Sequence, residues 1–109
     1  MIEIRTMRWW DIPQVHELEQ QCFPRDTWTI EQFWTELAQP TRRYQVAWSD
    51  DVIVGYCGIF LLAPESDVQT LAIADEHRGQ GVGGQLLDVA IASAGSAGAR
   101  SMTLEVRAD

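Results

Sequence analysis

Two cysteines in 109 residues, Cys22 and Cys57, are too few and too isolated for a disulfide framework, a redox pair or a thiolate metal site. They read as small buried hydrophobes, and no metal is expected. The chain has no apolar run long enough to span a bilayer, and its N-terminus lacks the basic-then-apolar order of a secretory signal. The expectation is a cytosolic chain. Positive charge is scarce, 8 Lys and Arg against 16 Asp and Glu, which leaves a net charge of −8 and a pI near 4.5. Nucleic acid and anionic membrane need a basic surface and are poor partners for it. A basic peptide or an amine suits it better, although acidity that serves solubility alone is the plainer explanation. Low-complexity tracts and internal repeats are also missing. What remains is 46% hydrophobic with five Trp, the composition of one folded globular domain over residues 1–109.

Glycine is unevenly spread, with four of the eight, Gly79, Gly81, Gly83 and Gly84, falling within six residues. They lie between a strand candidate, Val68 to Ile73, and an apolar helical pattern that follows from Gln85. Glycine permits positive φ and close approach to the backbone, so a helix leaving such a turn keeps its first N–H groups unpaired and unshielded. Those groups, the positive end of the helix dipole and the nearby Arg78 favour an anion such as a phosphate. No Lys stands anywhere in the turn, which excludes a P-loop, and the dinucleotide pattern fits Gly79-Gln80-Gly81 only by force, with no acidic residue closing a second strand. The spacing Arg78-x-x-Gly81-x-Gly83 fits without forcing. It resembles motif A of the GNAT superfamily of N-acetyltransferases, the turn that holds the pyrophosphate of acetyl-CoA. A glycine-rich turn with no ligand is the bland alternative, and the strand before and helix after weigh against it.

In chain order, Ile2 to Met7 alternates apolar and polar and predicts a first strand, which Trp9 and Trp10 cap. Asp11 is the expected N-cap of a helix whose stripe is Ile12, Val15, Leu18 and Cys22 and which ends before Pro24. Thr29 and Gln32 form a capping box for a second helix, with Trp28 stapled onto Phe33 and a body running to about Ala38. Tyr44 to Trp48 and Val52 to Leu62 predict antiparallel neighbours joined at Ser49-Asp50-Asp51. The second of these is nearly all apolar, hence central, and its Gly55 and Gly58 mark bulges or the close approach of another element. Ala63 to Ser66 reads as a turn into the strand at Val68. After the glycine turn come a helix ended by Gly95 and Gly98 and a last strand, Ser101 to Val106, parallel to the strand at Val68.

This order resembles the α/β GNAT fold over the whole chain: a mixed central sheet with helices on both faces. Glu17-Leu18-Glu19 with Cys22-Phe23-Pro24 and Trp28, the Leu71-Ala72-Ile73 strand, and above all Leu104-Glu105-Val106-Arg107 are similar to the RimI group, which acetylates the N-terminal α-amine of a ribosomal protein. The resemblance implies acetyl-CoA as cosubstrate and a protein N-terminus as acceptor. It implies Glu105 as general base and Leu71, Ala72 and Ile73 as holders of the pantetheine and acetyl end. Gly79, Gln80, Gly81, Val82, Gly83 and Gly84, beside Arg78, then hold the pyrophosphate. From the residues alone, Glu105 is a mid-strand carboxylate that could equally pair with Arg100 or Arg107 or face solvent. His16 and His77 have no partner pattern and read as surface positions. The family pattern continues past Asp109 with a helix, a Tyr that protonates the thiolate and two more strands. By that comparison the domain is C-terminally incomplete, and 101–106 is an edge strand open to a completing segment or a second copy. Neither Tyr44 nor Tyr56 takes the missing Tyr's role. An inactive acetyl-CoA-binding or regulatory domain, and an enzyme acting on a small amine or Lys, are the alternative readings.

Overall fold

The structure, a computed structural model, describes residues 1–104. Strand β1 (Ile2–Thr6) leads through a 3₁₀ turn (Trp9–Asp11) into helices α1 (Ile12–Cys22) and α2 (Ile30–Ala38). Strands β2 (Arg42–Ser49), β3 (Val52–Leu62) and β4 (Glu65–Ile73) follow, then a 3₁₀ turn (Asp75–His77), helix α3 (Val82–Ser96) and β5 (Ser101–Leu104). The five strands form one mixed sheet in the order β1-β2-β3-β4-β5, antiparallel except for the β4–β5 pair. The apolar strand β3 is central, as its composition requires, and the parallel crossover through α3 is the expected one. Among the described residues β5 pairs with β4 alone, which leaves its other side an edge.

Local chemistry accounts for the element ends. Gln32 N–H donates to Thr29 Oγ1 at 3.1 Å and Thr29 N–H donates to Gln32 Oε1 at 2.7 Å, the reciprocal box that starts α2. The Trp28 and Phe33 rings meet across it at 5.3 Å. Asp11 stands at the N-cap position of α1 as expected, but its side chain makes no capping bond to the helix. As the last residue of the 3₁₀ turn it already has helical φ and ψ, and its Oδ2 instead accepts from Arg8 N–H at 2.8 Å. Strand β4 begins at Glu65, three residues before the expected start, because Ala63-Pro64 alone makes the hairpin and Leu62 already faces Glu65 in the ladder. Helix α3 begins at Val82 rather than Gln85, since Gly81 is its N-cap and Gly83 and Gly84 are helical, and it runs through Gly95 to Ser96. Gly98, at φ +98°, ends the turn that follows.

The sheet has two unlike faces. On one, α3 lays Val82, Leu86, Ala90 and Ala94 over the strands. A β-carbon at Gly55 would fall 2.9 Å from Ile73 Cδ1 and 3.2 Å from Leu86 Cδ1, so the glycine is what lets that layer close. On the other, α1 and α2 cover an aromatic layer of Phe33, Tyr44 and Tyr56. A β-carbon at Gly58 would fall 2.3 Å from the Tyr44 ring, so the ring lies flat in the space that glycine vacates. The β3–β4 register steps from Gly58↔Thr70 to Ile59↔Val68, which makes Gln69 an extra, bulged residue. The step brings Asp67, opposite Phe60, onto the same face as Thr70 and Ala72.

Candidate functional site

The turn after β4 is built almost wholly from backbone. Gly79 and Gly81 both have positive φ, +77° and +84°, and Gly81 serves as N-cap in the left-handed conformation. The first bond into α3 is Gln85 N–H to the Gly81 carbonyl at 3.0 Å. Earlier N–H groups have no helical acceptor, and no side chain caps them. A β-carbon placed at Gly79, Gly81 or Gly84 would meet nothing within 4 Å, so these backbones front open space. Gly83 faces back to the strand, 3.9 Å from Ile73 Cγ1 by the same construction. Arg78 is exposed and held at the rim, its Nε 3.3 Å from Asp75 Oδ1 and donating to the Ile73 carbonyl at 3.3 Å.

Strand β4 leads into this turn through Leu71, Ala72 and Ile73, the first and last half-buried and Ala72 buried. Their neighbour on one side is β3, whose ladder closes with Ala74 N–H donating to the Val54 carbonyl at 2.8 Å. On the other side the β5 pairing covers Glu65 to Val68 and reaches no further among the described residues. The strand, the glycine turn and the mouth of α3 therefore line one continuous backbone surface. Glu105 lies outside the described residues, immediately after Leu104 in the sequence. Cys22 reaches the same place from α1, its Sγ donating to the Ile73 carbonyl at 3.5 Å. Burial pushes the Cys22 thiol up against the opposing pull of Arg78, so it stays protonated near neutral pH. Cys57 is buried as expected and is pushed up to about 12 by that burial, while Cys22 is half-buried. His16 and His77 are half-buried too, and His77 Nδ1 is a buried nitrogen without a partner.

Sequence reasoning gave no role to a polar cluster on the other face. Glu19 is fully buried. Its Oε1 accepts from Tyr56 Oη, which also meets Thr70 Oγ1 at 3.2 Å, and its Oε2 accepts from Trp28 N–H at 2.9 Å. One carboxylate thus ties α1, the approach to α2, β3 and β4 together. The sign was present in the sequence: Glu19 falls four residues after Val15 on the apolar stripe of α1, where a charge needs partners. Beside this cluster, Tyr44 Oη donates to Glu36 Oε1 at 2.8 Å, and Arg42 Nε pairs with the same oxygen at 3.0 Å. Burial, and after it the Glu36 charge, holds the Tyr44 phenol far above its usual range. Among the described residues no group of three or more His, Cys, Asp and Glu is placed to bind a metal.

The GNAT acetyltransferase family model matches residues 12–109. This chain belongs to that family. It is 36% identical over 105 residues to a putative [ribosomal protein bS18]-alanine N-acetyltransferase of Bacillus subtilis (strain 168), with 95% of this chain and 69% of that protein covered. It is 37% identical over 82 residues to the N-alpha-acetyltransferase RimI of Mycobacterium tuberculosis (strain H37Rv), covering 71% of this chain and 52% of that one. The chain thus spans about half the length of the mycobacterial relative. Its GNAT fold also matches the structure of aminoglycoside N-acetyltransferase AAC(6')-Iy in complex with CoA at a TM-score of 0.88, with 18% identity over 98% of this chain and 78% of the other.

Proposed function

We propose that this GNAT domain transfers acetyl from acetyl-CoA to the N-terminal α-amine of a protein, a ribosomal protein by analogy with the RimI-like relatives, in the cytoplasm. The observation that carries the proposal is the N-terminus of α3: uncapped N–H groups behind two left-handed glycines, open to solvent, at the end of β4. Such a cradle fits a pyrophosphate, with Gly79 to Gly84 supplying backbone donors and Arg78 turning its charge toward it. Leu71, Ala72 and Ile73 would line the path of the pantetheine. Acetyl-CoA, once bound there, supplies an activated thioester carbonyl. The chain's own work is then positional: a backbone N–H near Ile73 orients that carbonyl, and Glu105, directly or through a water, takes the proton of the incoming amine. An α-amine with a pKa near 8 needs less help than a Lys side chain near 10.4, which suits a single carboxylate.

Calorimetric titration with acetyl-CoA tests the cradle. The parent chain is expected to bind, and Gly81→Val to lose binding while keeping its far-UV spectrum; equal binding by the variant would falsify the assignment of the turn. Mass spectrometry on peptides beginning with Ala or Ser, against N-blocked peptides carrying Lys, tests the acceptor. Acetylation of the blocked Lys peptides alone would replace the α-amine by a side-chain amine.

A further inference from the structure

The carbonyl of Ile73 is the last acceptor of β4, and it faces away from β3. The next N–H, that of Ala74, turns toward β3 and donates to the Val54 carbonyl. Across the trans peptide that joins them, the Ile73 carbonyl points the opposite way, to the side where the β5 pairing has stopped at Val68. Two donors converge on this one oxygen, Cys22 Sγ at 3.5 Å and Arg78 Nε at 3.3 Å. They are unlike in how firmly they are held. Cys22 is the last residue of α1, half-buried between that helix and the strand, and burial keeps its thiol protonated and therefore a donor. Arg78 is exposed at the rim of the glycine turn, and its other tie, to Asp75 Oδ1 at 3.3 Å, is a solvent-exposed pair that holds weakly in water. An anion at the uncapped N-terminus of α3 draws this guanidinium toward itself and away from the strand. The carbonyl it leaves still needs a donor, because an acceptor withdrawn from water and left unmet is costly.

We propose that Cys22 is a positioning residue for the cosubstrate: its thiol keeps the Ile73 carbonyl paired when Arg78 leaves it for the pyrophosphate. The proposal rests on the acetyltransferase reading above and adds to it a residue of α1, on the far side of the strand from the glycine turn. The thiol thus does two things at once. It lowers the cost of releasing Arg78, and it holds the end of β4 in line while the guanidinium is away. In an extended strand the N–H and C=O of one residue point to the same side, so a fixed Ile73 carbonyl also fixes the Ile73 N–H in the gap where the thioester is to be oriented. No bond is made or broken at sulfur, and the thiol acts only as a donor.

Two measurements on the full chain test this. The first is a double-mutant cycle read by calorimetric titration with acetyl-CoA. Cys22→Ala is expected to weaken binding about fivefold, one hydrogen bond's worth, because Arg78 is then held back on the strand. Arg78→Ala weakens binding on its own, and adding Cys22→Ala to it is expected to change the affinity by less than about twofold, since no guanidinium remains to be released. An unchanged affinity in Cys22→Ala overturns the proposal. A loss that persists in full on the Arg78→Ala background overturns it too, because loosening of α1 costs binding whether or not Arg78 is present. The second measurement uses Cys57→Ala, which leaves Cys22 as the one thiol. Its S–H stretch in the infrared is expected to move to lower frequency on saturation with acetyl-CoA, as the carbonyl gives up its other donor and the S–H bond to it tightens. A stretch that stays where it was, or moves to higher frequency, overturns the proposal, since Arg78 has then kept the carbonyl or the ligand has taken it from the thiol. A parent chain silent toward acetyl-CoA removes the acetyltransferase reading and this proposal with it, whereas binding without coupling between Cys22 and Arg78 removes this proposal alone.

Discussion

The two faces of the sheet solve opposite problems by opposite means. On the α3 side the candidate site is made of backbone, with exposed glycines, uncapped N–H groups and open space around them. On the α1/α2 side it is made of side chains: a buried carboxylate, two buried tyrosines and an acidic groove assembled from α2, β2 and β4. A site of bare backbone receives an anion without needing a side chain, and altering it disturbs little else. A site of interlocked side chains presents fixed charge, but the groups that shape it are also the groups that hold the core. Ligand binding and stability should therefore separate on the first face and move together on the second.

The largest expected effect is on the interlocked face. Glu19→Ala removes an acceptor shared by Tyr56 Oη and Trp28 N–H and leaves a void at a fully buried position, and should cost roughly 3 kcal/mol in urea unfolding. Acetyl-CoA binding by the folded fraction should be spared. A loss below about 0.5 kcal/mol would show that the cluster does not hold the face together. Gly58→Ala comes next. The new carbon would fall 2.3 Å from a Tyr44 ring that Glu36 already fixes through its hydroxyl, so the ring cannot swing clear cheaply, and a cost of roughly 2 kcal/mol is expected.

Alkaline pH reaches groups that burial shields in the folded chain. Cys57 is pushed up to about 12 from its ordinary 9.0, so the folded chain keeps a proton that the unfolded chain releases. That contribution is complete below pH 9 and is lost as pH rises toward about 12, and Tyr44, raised in the same direction, adds to the loss. Melting temperature should fall across this window, and less steeply in Cys57→Ala; identical slopes would remove the thiol from the account. The smallest effect belongs to the open face. Gly84→Ala puts a methyl into empty space in the first turn of α3 and should stabilise the fold by about 0.5–1 kcal/mol. A loss of acetyl-CoA affinity in this more stable variant would show binding and stability parting as described.

Legibility in the sequence follows the same division. The strand–turn–helix around Arg78, Gly81 and Gly83 is contiguous, and its spacing states a backbone requirement that few other arrangements share. The antiparallel pairing of β2 with β3, the capping box at Thr29 and the centrality of β3 were legible for the same reason, since each rests on neighbours in the chain or on a run of like residues. Boundaries were less so: Ser66 reads as a turn residue, yet it is buried in β4 with its hydroxyl donating to the Ser101 carbonyl at 2.8 Å. That partner is 35 residues away, and no local pattern announces it. The Glu19 cluster joins residues from α1, β3 and β4, and the acidic groove depends on a one-residue register step at Gln69. Both are products of tertiary pairing, and neither has a sequence spacing of its own.

The sheet order has a consequence for how the chain reaches this structure. Because the strands lie side by side in the order in which they occur, no strand must be inserted between two others after they have paired. The β2–β3 and β3–β4 hairpins can form with short loops, whereas β1 and β5 join at the two margins across longer loops that contain helices. Assembly is expected to start at the middle and grow outward. Amide exchange should report this as slowest in β3 and fastest at the β1 and β5 margins. On that order the Glu19 cluster, rooted in β3 through Tyr56, is set before α3 docks and brings the glycine turn to the end of β4.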